Sequence, residues 1–245
     1  MESSNHNNAP SHGKDCTLVV MAKAPRHGMV KTRLAQSFPV EAVTELYRCF
    51  LHDTIGLARS LGTVDVAIMC PASDVEELKR LAQIQGAVGV VAQKGLGLAA
   101  GLTSVFAQFT ANDRQRVVAF NSDSPHLPAS VLENAFNALV EHDMVVGPTY
   151  DGGYYLVGAR AAHPALFDGD GMGTKSALEI LLARARGMQL SVALTDPFYD
   201  VDVESDLARL AAELRLAPAR APRTAVWLEQ WRQAVTQLRT SSGKL

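Results

Sequence analysis

The stretch RVVAFNSDSPHLP, residues 116–128, places one acidic side chain just after an apolar run. Val117 to Phe120 are apolar without interruption, which is typical of a strand buried on both faces of a parallel sheet. Pro125 then disfavours helix at the residue before it, so the run ends in a turn. Asp123 is therefore expected at the carboxyl end of a central strand, where open α/β sheets bind ligands.

Two interpretations of Asp123 are open on this stretch alone. A carboxylate among small polar neighbours suits a hard divalent cation that also holds a substrate's phosphates. The same side chain is a good cap for the turn into the following helix. Asp200 and Asp202 favour the first interpretation, because alternate residues of extended backbone project to the same side. This pair would complete a cation site that Asp123 begins.

A basic loop follows the first predicted strand, residues 17–22. Within residues 23–33 the chain has four cations, Lys23, Arg26, Lys31 and Arg33. Such a loop suits a di- or triphosphate, with Gly28 shaping the backbone, and a helix beginning near Val30 would add its amides. A solvated basic loop is the alternative. A P-loop is disfavoured, because Val30 rather than glycine precedes the lysine.

A glycine-rich segment, QKGLGLAAG at residues 93–101, leads into a predicted helix. Its GxGxxxG spacing is one residue longer than the dinucleotide fingerprint, and Asp123 lies roughly 20 residues further on. A dinucleotide such as NAD therefore stays open as an alternative ligand. The alternative is a purely structural role, in which Gly95 and Gly97 allow a tight turn between strand and helix.

Composition restricts the function classes. The chain has 245 residues, of which 47% are hydrophobic, enough for one sizeable core. Its net charge of −2 gives no electrostatic reason for a nucleic-acid or membrane partner. The three cysteines lack metal-binding spacing and indicate reduced thiols of a cytoplasmic protein. No apolar run approaches the roughly 20 residues of a membrane span.

The chain alternates short apolar runs with amphipathic stripes, which predicts an α/β fold with a mainly parallel sheet. Residues 1–15 are expected to form a disordered lead-in, 16–216 a single domain, and 217–245 a helical tail packed on it. Strands are predicted at 17–22, 64–69, 88–92, 117–120, 143–147, 154–157 and 189–195. Helices are predicted at 40–61, 74–85, about 97–109, 129–141, 175–186, 204–216 and around Trp227 and Trp231.

Asp151, Gly152 and Gly153 lie between two predicted strands. Glycine allows positive φ or close approach of the backbone to a ligand, although Asp-Gly-Gly also suits a plain hairpin turn. Asp53 falls near the apolar stripe of the first helix. It is either the buried partner of a basic residue or a residue that flanks the apolar face.

Four segments in this order resemble a bacterial family of GT-A-type glycosyltransferases, catalogued as radical-SAM/selenodomain-associated or arsenosugar-biosynthesis transferases. They are AKAPRHGMVKTRL (22–34), NSDSPHLP (121–128), GPTYDGGYYLVG (147–158) and DVDVESDL (200–207). The resemblance runs from about residue 18 to 210. More distantly, the chain resembles the 2-phospholactate guanylyltransferases. The resemblance implies a nucleotide-diphospho-sugar transferase fold, a three-layer sandwich with a mixed, mainly parallel sheet that is Rossmann-like.

The resemblance also implies roles for individual residues. The loop residues Lys23, Gly28, Lys31 and Arg33 would hold the nucleotide diphosphate. Asp123, Asp200 and Asp202 would be the ligands of Mg²⁺ or Mn²⁺. The acceptor or sugar pocket would include Asp151, Gly152, Gly153 and Tyr154. Two segments depart from the family: its Gly-Asp-Leu-Gly-Glu-Arg is here GLGLAA (95–100), and its Trp-Ser-Thr turn is GMGT (171–174).

The preferred hypothesis is metal-dependent glycosyl transfer from a nucleotide sugar to a small acceptor, with Asp151 or Asp202 as base. Nucleotidyl transfer, in which a nucleoside triphosphate releases pyrophosphate, is the alternative. A nucleotide-binding protein without catalysis is the third hypothesis. The oligomeric state is left open by the sequence.

Overall fold

The computed structural model describes residues 15–83, 88–110, 115–169 and 171–242, with side chains described up to residue 235. The predicted lead-in, residues 1–15, lies outside this range except for Asp15. The strands are β1 (Cys16–Met21), β2 (Asp65–Cys70), β3 (Gly89–Ala92), β4 (Arg116–Asn121), β5 (Met144–Pro148), β6 (Tyr154–Ala159) and β7 (Val192–Leu194). The helices are α1 (Val40–Ser60), α2 (Val75–Gln83), α3 (Gly97–Phe109), α4 (Ala129–Ala138), α5 (Ala177–Gly187), α6 (Glu204–Leu216) and α7 (Pro222–Ser242).

The strands of the described chain form one sheet in the order β3-β2-β1-β4-β6-β5-β7. Among them only β6 runs antiparallel to its neighbours, β4 and β5. β1 lies between β2 and β4 and pairs with both in parallel, so that Val20 stands beside Ile68 and Phe120. The prediction of a mixed, mainly parallel sheet is confirmed.

The central strands bury side chains on both faces of the sheet, and helices cover both faces. In β1, Leu18 and Val20 face one core cluster and Val19 faces the other. The first cluster is closed by α1, α2, α4 and α6. The second is closed by α3 and α5. The predicted three-layer sandwich is therefore observed, and no helix of the described residues is long and apolar enough to cross a bilayer.

The order of strands reverses at β1. From β1 the chain moves outward to β2 and β3, and then returns to place β4 on the other side of β1. In open α/β sheets such a reversal leaves a crevice at the carboxyl ends of the two strands. The basic loop after β1 and the Asp123 turn after β4 both begin at this crevice.

Contrary to the expectation, no helix begins near Val30, so the loop has no helical amides there to add to its cations. The loop after β1 instead makes turns until a short 3-10 segment at Leu34–Gln36, and α1 begins at Val40. The backbone explains the difference, because Lys31 has φ 48°. A left-handed residue at that position is incompatible with an α-helix.

The C-terminal helix α7 packs against α1. The contact includes Asp53, a buried residue of α1, whose carboxylate accepts hydrogen bonds from the backbone N–H groups of Arg223 (3.1 Å) and Thr224 (2.8 Å). Asp53 thus caps the first turn of α7, where N–H groups lack partners within the helix. The partner of Asp53 is therefore the backbone of α7. The sequence analysis considered only a basic partner or a position beside the apolar face. The division into a domain and a tail stays a prediction.

We predict that Asp53→Ala lowers the free energy of unfolding by about 2 kcal/mol, because two buried N–H groups lose their acceptor. Urea unfolding followed by circular dichroism measures the change. The matched control is Glu45→Ala on the same helix, where an exposed pair with Arg48 is removed. That control should change stability by less than about 0.5 kcal/mol. Equal effects of the two variants would contradict the capping role.

Candidate functional site

A cleft of about 680 Å³ opens at the crevice between β1 and β4. It is lined by the carboxyl ends of β1, β2 and β4, by the loop after β1, and by the starts of α3 and β6. Because β6 is antiparallel, its first residue, Tyr154, reaches the same edge of the sheet. The cleft therefore collects side chains from segments spread over most of the chain.

The Lys31 ammonium lies at the centre of the charged part of the cleft. Its Nζ is 2.5 Å from Asp123 Oδ1 and 2.9 Å from Asp202 Oδ1. The Lys31 side chain is 3% exposed, whereas those of Asp123 and Asp202 are 35% and 41% exposed. Burial works to lower the pKa of Lys31, but the charges and hydrogen bonds of the two carboxylates outweigh it and raise that pKa. The lysine is therefore a buried cation.

The loops that carry these carboxylates are tied to each other. The backbone N–H of Val201 donates to the Asp123 carbonyl, and the Asp202 N–H donates to Asp206 at the start of α6. The Asp123 N–H in turn donates to the Asn121 side chain. The two carboxylates consequently meet at Lys31 with their backbones already fixed.

Asp200 lines the cleft in a different setting. Its Oδ1 accepts hydrogen bonds from Asn121 Nδ2 (2.7 Å) and Ser124 Oγ (2.9 Å). Burial, together with the nearby charge of Asp123, raises the pKa of Asp200 to about 6. The predicted pair is thus divided, because Asp202 contacts Lys31 while Asp200 braces the Asp123 turn.

The cations of the basic loop also point to different places. Lys23 and Arg33 border the cleft, and Arg33 is 62% exposed with its Nη1 3.6 Å from Asp202 Oδ2. Arg26 instead points to the start of α2, where it pairs with Asp74 at 2.8 Å. Three of the four cations in this loop therefore remain placed to meet a ligand.

Four of the predicted site residues do not line the cleft: Gly28, Asp151, Gly152 and Gly153. Asp151 accepts hydrogen bonds from the Thr149 hydroxyl and the Gly153 N–H. The Thr149 bond is the main cause of the lowered pKa of Asp151. Gly152 packs directly on the backbone of Lys175. The phosphate role of Gly28 and the acceptor-pocket roles of Asp151, Gly152 and Gly153 stay predictions, while Tyr154 does line the cleft.

Tyr47 of α1 is a cleft residue that the sequence analysis did not single out. Its hydroxyl lies 2.9 Å from Ser122 Oγ and accepts a hydrogen bond from the Lys23 N–H (3.3 Å). It thereby joins α1 to the loops after β1 and β4. The available signal was a tyrosine on an apolar stripe, since a buried tyrosine hydroxyl needs a partner.

The other end of the cleft is apolar. Its walls include Met21, Met69, Leu98 and Leu102, next to the glycine-rich turn. The turn is closed by Gln93, whose side-chain amide donates to the carbonyls of Gly95 and Gly97. A cleft with cations at one end and apolar walls at the other matches a nucleotide, which has charged phosphates and a flat, weakly polar base.

The positions of the Asp123 and Asp202 carboxylates suit a hard divalent cation. Asp123 and Asp202 converge on a single centre of positive charge, and both are open to the cleft. Within the described parts of the chain, no three acidic, histidine or cysteine side chains are grouped to hold a metal by themselves. Mg²⁺ commonly uses one or two carboxylates plus substrate phosphates, so two are sufficient for that ion.

His126 lies behind the Asp123 turn and is fully buried, with its Nε2 3.7 Å from Glu213. Within the described residues, neither ring nitrogen has a hydrogen-bond partner. The ring packs on Tyr199, and Arg209 and Arg220 lie near it. Burial, and then the charges of the two arginines, lower the pKa of His126 to about 3. The imidazole is therefore neutral in the folded protein.

We predict that His126 makes folding sensitive to acid. Because its pKa is about 3 when folded and about 6.5 when unfolded, only the unfolded chain takes up the proton between these values. Stability is therefore retained above pH 6.5 and lost as the pH falls. Between pH 6.5 and 5, wild type should lose about 2 kcal/mol more than His126→Leu. Parallel pH profiles from urea unfolding would contradict this assignment.

We also predict that Gly152→Ala is strongly destabilising. An added Cβ would lie 2.0 Å from the Lys175 carbonyl oxygen, and the residue has φ 91°. The expected loss is about 3 kcal/mol by urea unfolding. Gly28→Ala is the matched control, because φ is 71° but the space around it is open. It should lose only about 1 kcal/mol. Similar losses would exclude the Lys175 contact as the cause.

Comparison with known proteins finds one family match and several structures of similar fold. Residues 54–174 match a family described as "Uncharacterized protein conserved in bacteria (DUF2064)". None of the curated proteins searched matches the chain. A solved structure from Desulfovibrio desulfuricans G20, titled a "putative nucleotide-diphospho-sugar transferase", is similar with 28% identity and a TM-score of 0.82. The match covers 91% of this chain and 98% of that one.

More distant structures share the fold. One is 4-diphosphocytidyl-2C-methyl-D-erythritolsynthase from Anaerococcus prevotii DSM 20548, with 10% identity, a TM-score of 0.54, and 82% and 96% of the two chains covered. Another is a nucleotidyl transferase from Methanothermobacter thermautotroptrophicus, with 16% identity, a TM-score of 0.55, and 82% and 98% covered. At such identities the likeness supports the fold alone.

Proposed function

We propose that this protein is a metal-dependent transferase that takes a sugar from a nucleoside-diphosphate sugar and passes it to a small acceptor hydroxyl. The observation that carries the proposal is the convergence of Lys31, Asp123 and Asp202 at the point where the strand order reverses. The similarity to the Desulfovibrio protein supports a nucleotide sugar as the donor. The metal, the donor and the acceptor all belong to the proposal.

The basic loop would bind the diphosphate. Lys23 and Arg33 line the same cleft as Lys31 and the two carboxylates. When the bond between the sugar and the diphosphate breaks, negative charge develops on the leaving group. Positive groups that are fixed before the reaction lower the barrier to that step.

Asp123 and Asp202 would hold Mg²⁺ or Mn²⁺ against the diphosphate, and the ion would neutralise charge on the leaving group. Asp200 would act from behind, because its hydrogen bonds with Asn121 and Ser124 fix the turn that carries Asp123. We therefore propose two protein ligands instead of the three predicted from the sequence.

The base for the acceptor hydroxyl was predicted as Asp151 or Asp202. We favour Asp202, because it borders the cleft and Asp151 does not. The hydrogen bond from Thr149 also lowers the pKa of Asp151, which makes it a weaker proton acceptor. The Oδ2 atom of Asp202 faces Arg33 and is the oxygen of that carboxylate further from Lys31.

Nucleotidyl transfer is the second candidate. It is favoured by the three cations around the cleft, Lys23, Lys31 and Arg33, which suffice for a triphosphate. In that reaction an acceptor attacks the α-phosphate and pyrophosphate leaves. The released product distinguishes the candidates, since a nucleotide sugar yields a nucleoside diphosphate and a triphosphate yields pyrophosphate. Metal-dependent binding without turnover of any donor would indicate the non-catalytic hypothesis.

We predict that Asp123→Asn reduces turnover roughly a hundredfold or more, because the cleft loses a metal ligand. The protein should still fold, since Lys31 keeps Asp202 as a partner. Glu141→Gln, at an exposed position outside the cleft lining, is the control with the same chemical change. Product release is measured with nucleotide sugars and with triphosphates, each with and without Mn²⁺. Unchanged turnover in Asp123→Asn would remove the metal site from the proposal.

Binding is measured separately by thermal shift with UDP, GDP, CDP, CTP, GTP and NAD, each with and without Mn²⁺. A ligand at about 100 times its dissociation constant adds about 2.7 kcal/mol of stability. Stabilisation by a nucleoside diphosphate that requires Mn²⁺ is the expected result. Stabilisation by NAD without metal would contradict the proposal and return the glycine-rich turn to the dinucleotide interpretation.

A further inference from the structure

Lys31 occupies the place where the proposed metal would bind. Both carboxylates proposed as ligands, Asp123 and Asp202, direct their Oδ1 atoms to the same Nζ, at 2.5 and 2.9 Å. These oxygens already face a full positive charge. A divalent cation that approached them with the lysine in place would meet a like charge at close range.

The strength of this repulsion follows from burial. Lys31 is 3% exposed, so little water screens its ammonium from a neighbouring ion. Like charges about 4 Å apart repel strongly where water screens them little. The repulsion from a divalent ion would be larger still. Bare metal therefore competes with Lys31 for the same oxygens.

Release of the carboxylates requires the Lys31 side chain to move. Lys31 lies in a loop, between the buried Val30 and the exposed Thr32. Its charge sits at the end of a flexible four-carbon chain with three rotatable donors. A phosphate placed beside Lys23 and Arg33 would offer it new acceptors at the same edge of the cleft. The ammonium would then exchange two carboxylate partners for phosphate oxygens.

We propose that Lys31 is a built-in counter-ion that keeps divalent cations out of the cleft until a phosphate ligand arrives. Metal and nucleotide then bind together, because the phosphate draws the ammonium away from Asp123 and Asp202 and frees both carboxylates. This inference rests on the proposed function for its ligand. It adds that the metal site is closed in the free protein and that an internal residue controls its opening.

The coupling has to be reciprocal. If a nucleoside diphosphate raises the affinity for Mn²⁺ by some factor, Mn²⁺ raises the affinity for the diphosphate by the same factor. The apparent affinity for bare metal is reduced by the fraction of molecules in which the carboxylates are free. Removal of the lysine charge should therefore tighten metal binding while it weakens nucleotide binding.

The test measures Mn²⁺ binding without nucleotide, by the electron paramagnetic resonance signal of the free ion, in wild type and in Lys31→Met. We expect Lys31→Met to bind Mn²⁺ at least tenfold more tightly than wild type, and to bind UDP or GDP more weakly. Lys79→Met is the matched control, because it removes an equal charge at an exposed position outside the cleft lining. It should leave bare Mn²⁺ affinity within about twofold.

A folded Lys31→Met variant that binds Mn²⁺ no more tightly than wild type overturns the proposal. If circular dichroism shows that Lys31→Met is unfolded, Lys31→Gln, which keeps a polar side chain, is used in its place. A further measurement uses wild type alone. UDP or GDP, whichever binds, should tighten Mn²⁺ binding at least tenfold. Independent binding of the two, or micromolar binding of bare Mn²⁺ to wild type, also overturns it.

The two proposals fail in different ways. If no nucleotide binds wild type with or without Mn²⁺, the transferase proposal fails. The comparison of bare Mn²⁺ affinities still decides whether Lys31 excludes the metal. If nucleotide and Mn²⁺ bind but Lys31→Met gains no affinity for the ion, the transferase proposal stands and the counter-ion role is lost.

Discussion

The contact between the Lys31 ammonium and two carboxylates is the constraint on which the cleft depends. It joins residues 171 positions apart in the chain, Lys31 and Asp202, and it includes the turn after β4 through Asp123. A buried cation without partners would cost several kcal/mol, so the lysine requires both loops to be in place. The charges of the site and the closure of the fold at this edge are therefore parts of one arrangement.

The surrounding hydrogen bonds support this arrangement at two points. Tyr47 fixes the loop after β1 to the turn after β4 through Lys23 and Ser122. Asp200 braces the same turn from the segment before α6. Because polar groups in a buried setting stabilise each other only when all are satisfied, loss of one partner affects the others. The loops that carry the site residues are consequently held in place before any ligand binds.

The features that the sequence revealed are those that depend on local pattern. An unbroken apolar run predicted β4, and its end predicted the position of Asp123. The features that it did not reveal depend on contacts between distant segments. The pairing of Arg26 with Asp74, the cap that Asp53 provides to α7, and the left-handed backbone of Lys31 leave no periodic signal in the chain. Strands and their ends were thus predictable, whereas the partners of the charged residues were not.

The antiparallel direction of β6 has a consequence for how this cleft can change between related proteins. Tyr154 and Tyr155 begin the strand on opposite faces, with their hydroxyls bonded to Met172 and Thr195 respectively. A shift of one residue in pairing moves every side chain of a strand to the other face. An insertion in the turn at 149–153 that shifted the pairing of β6 by one residue would therefore exchange the two tyrosines between the faces of the sheet.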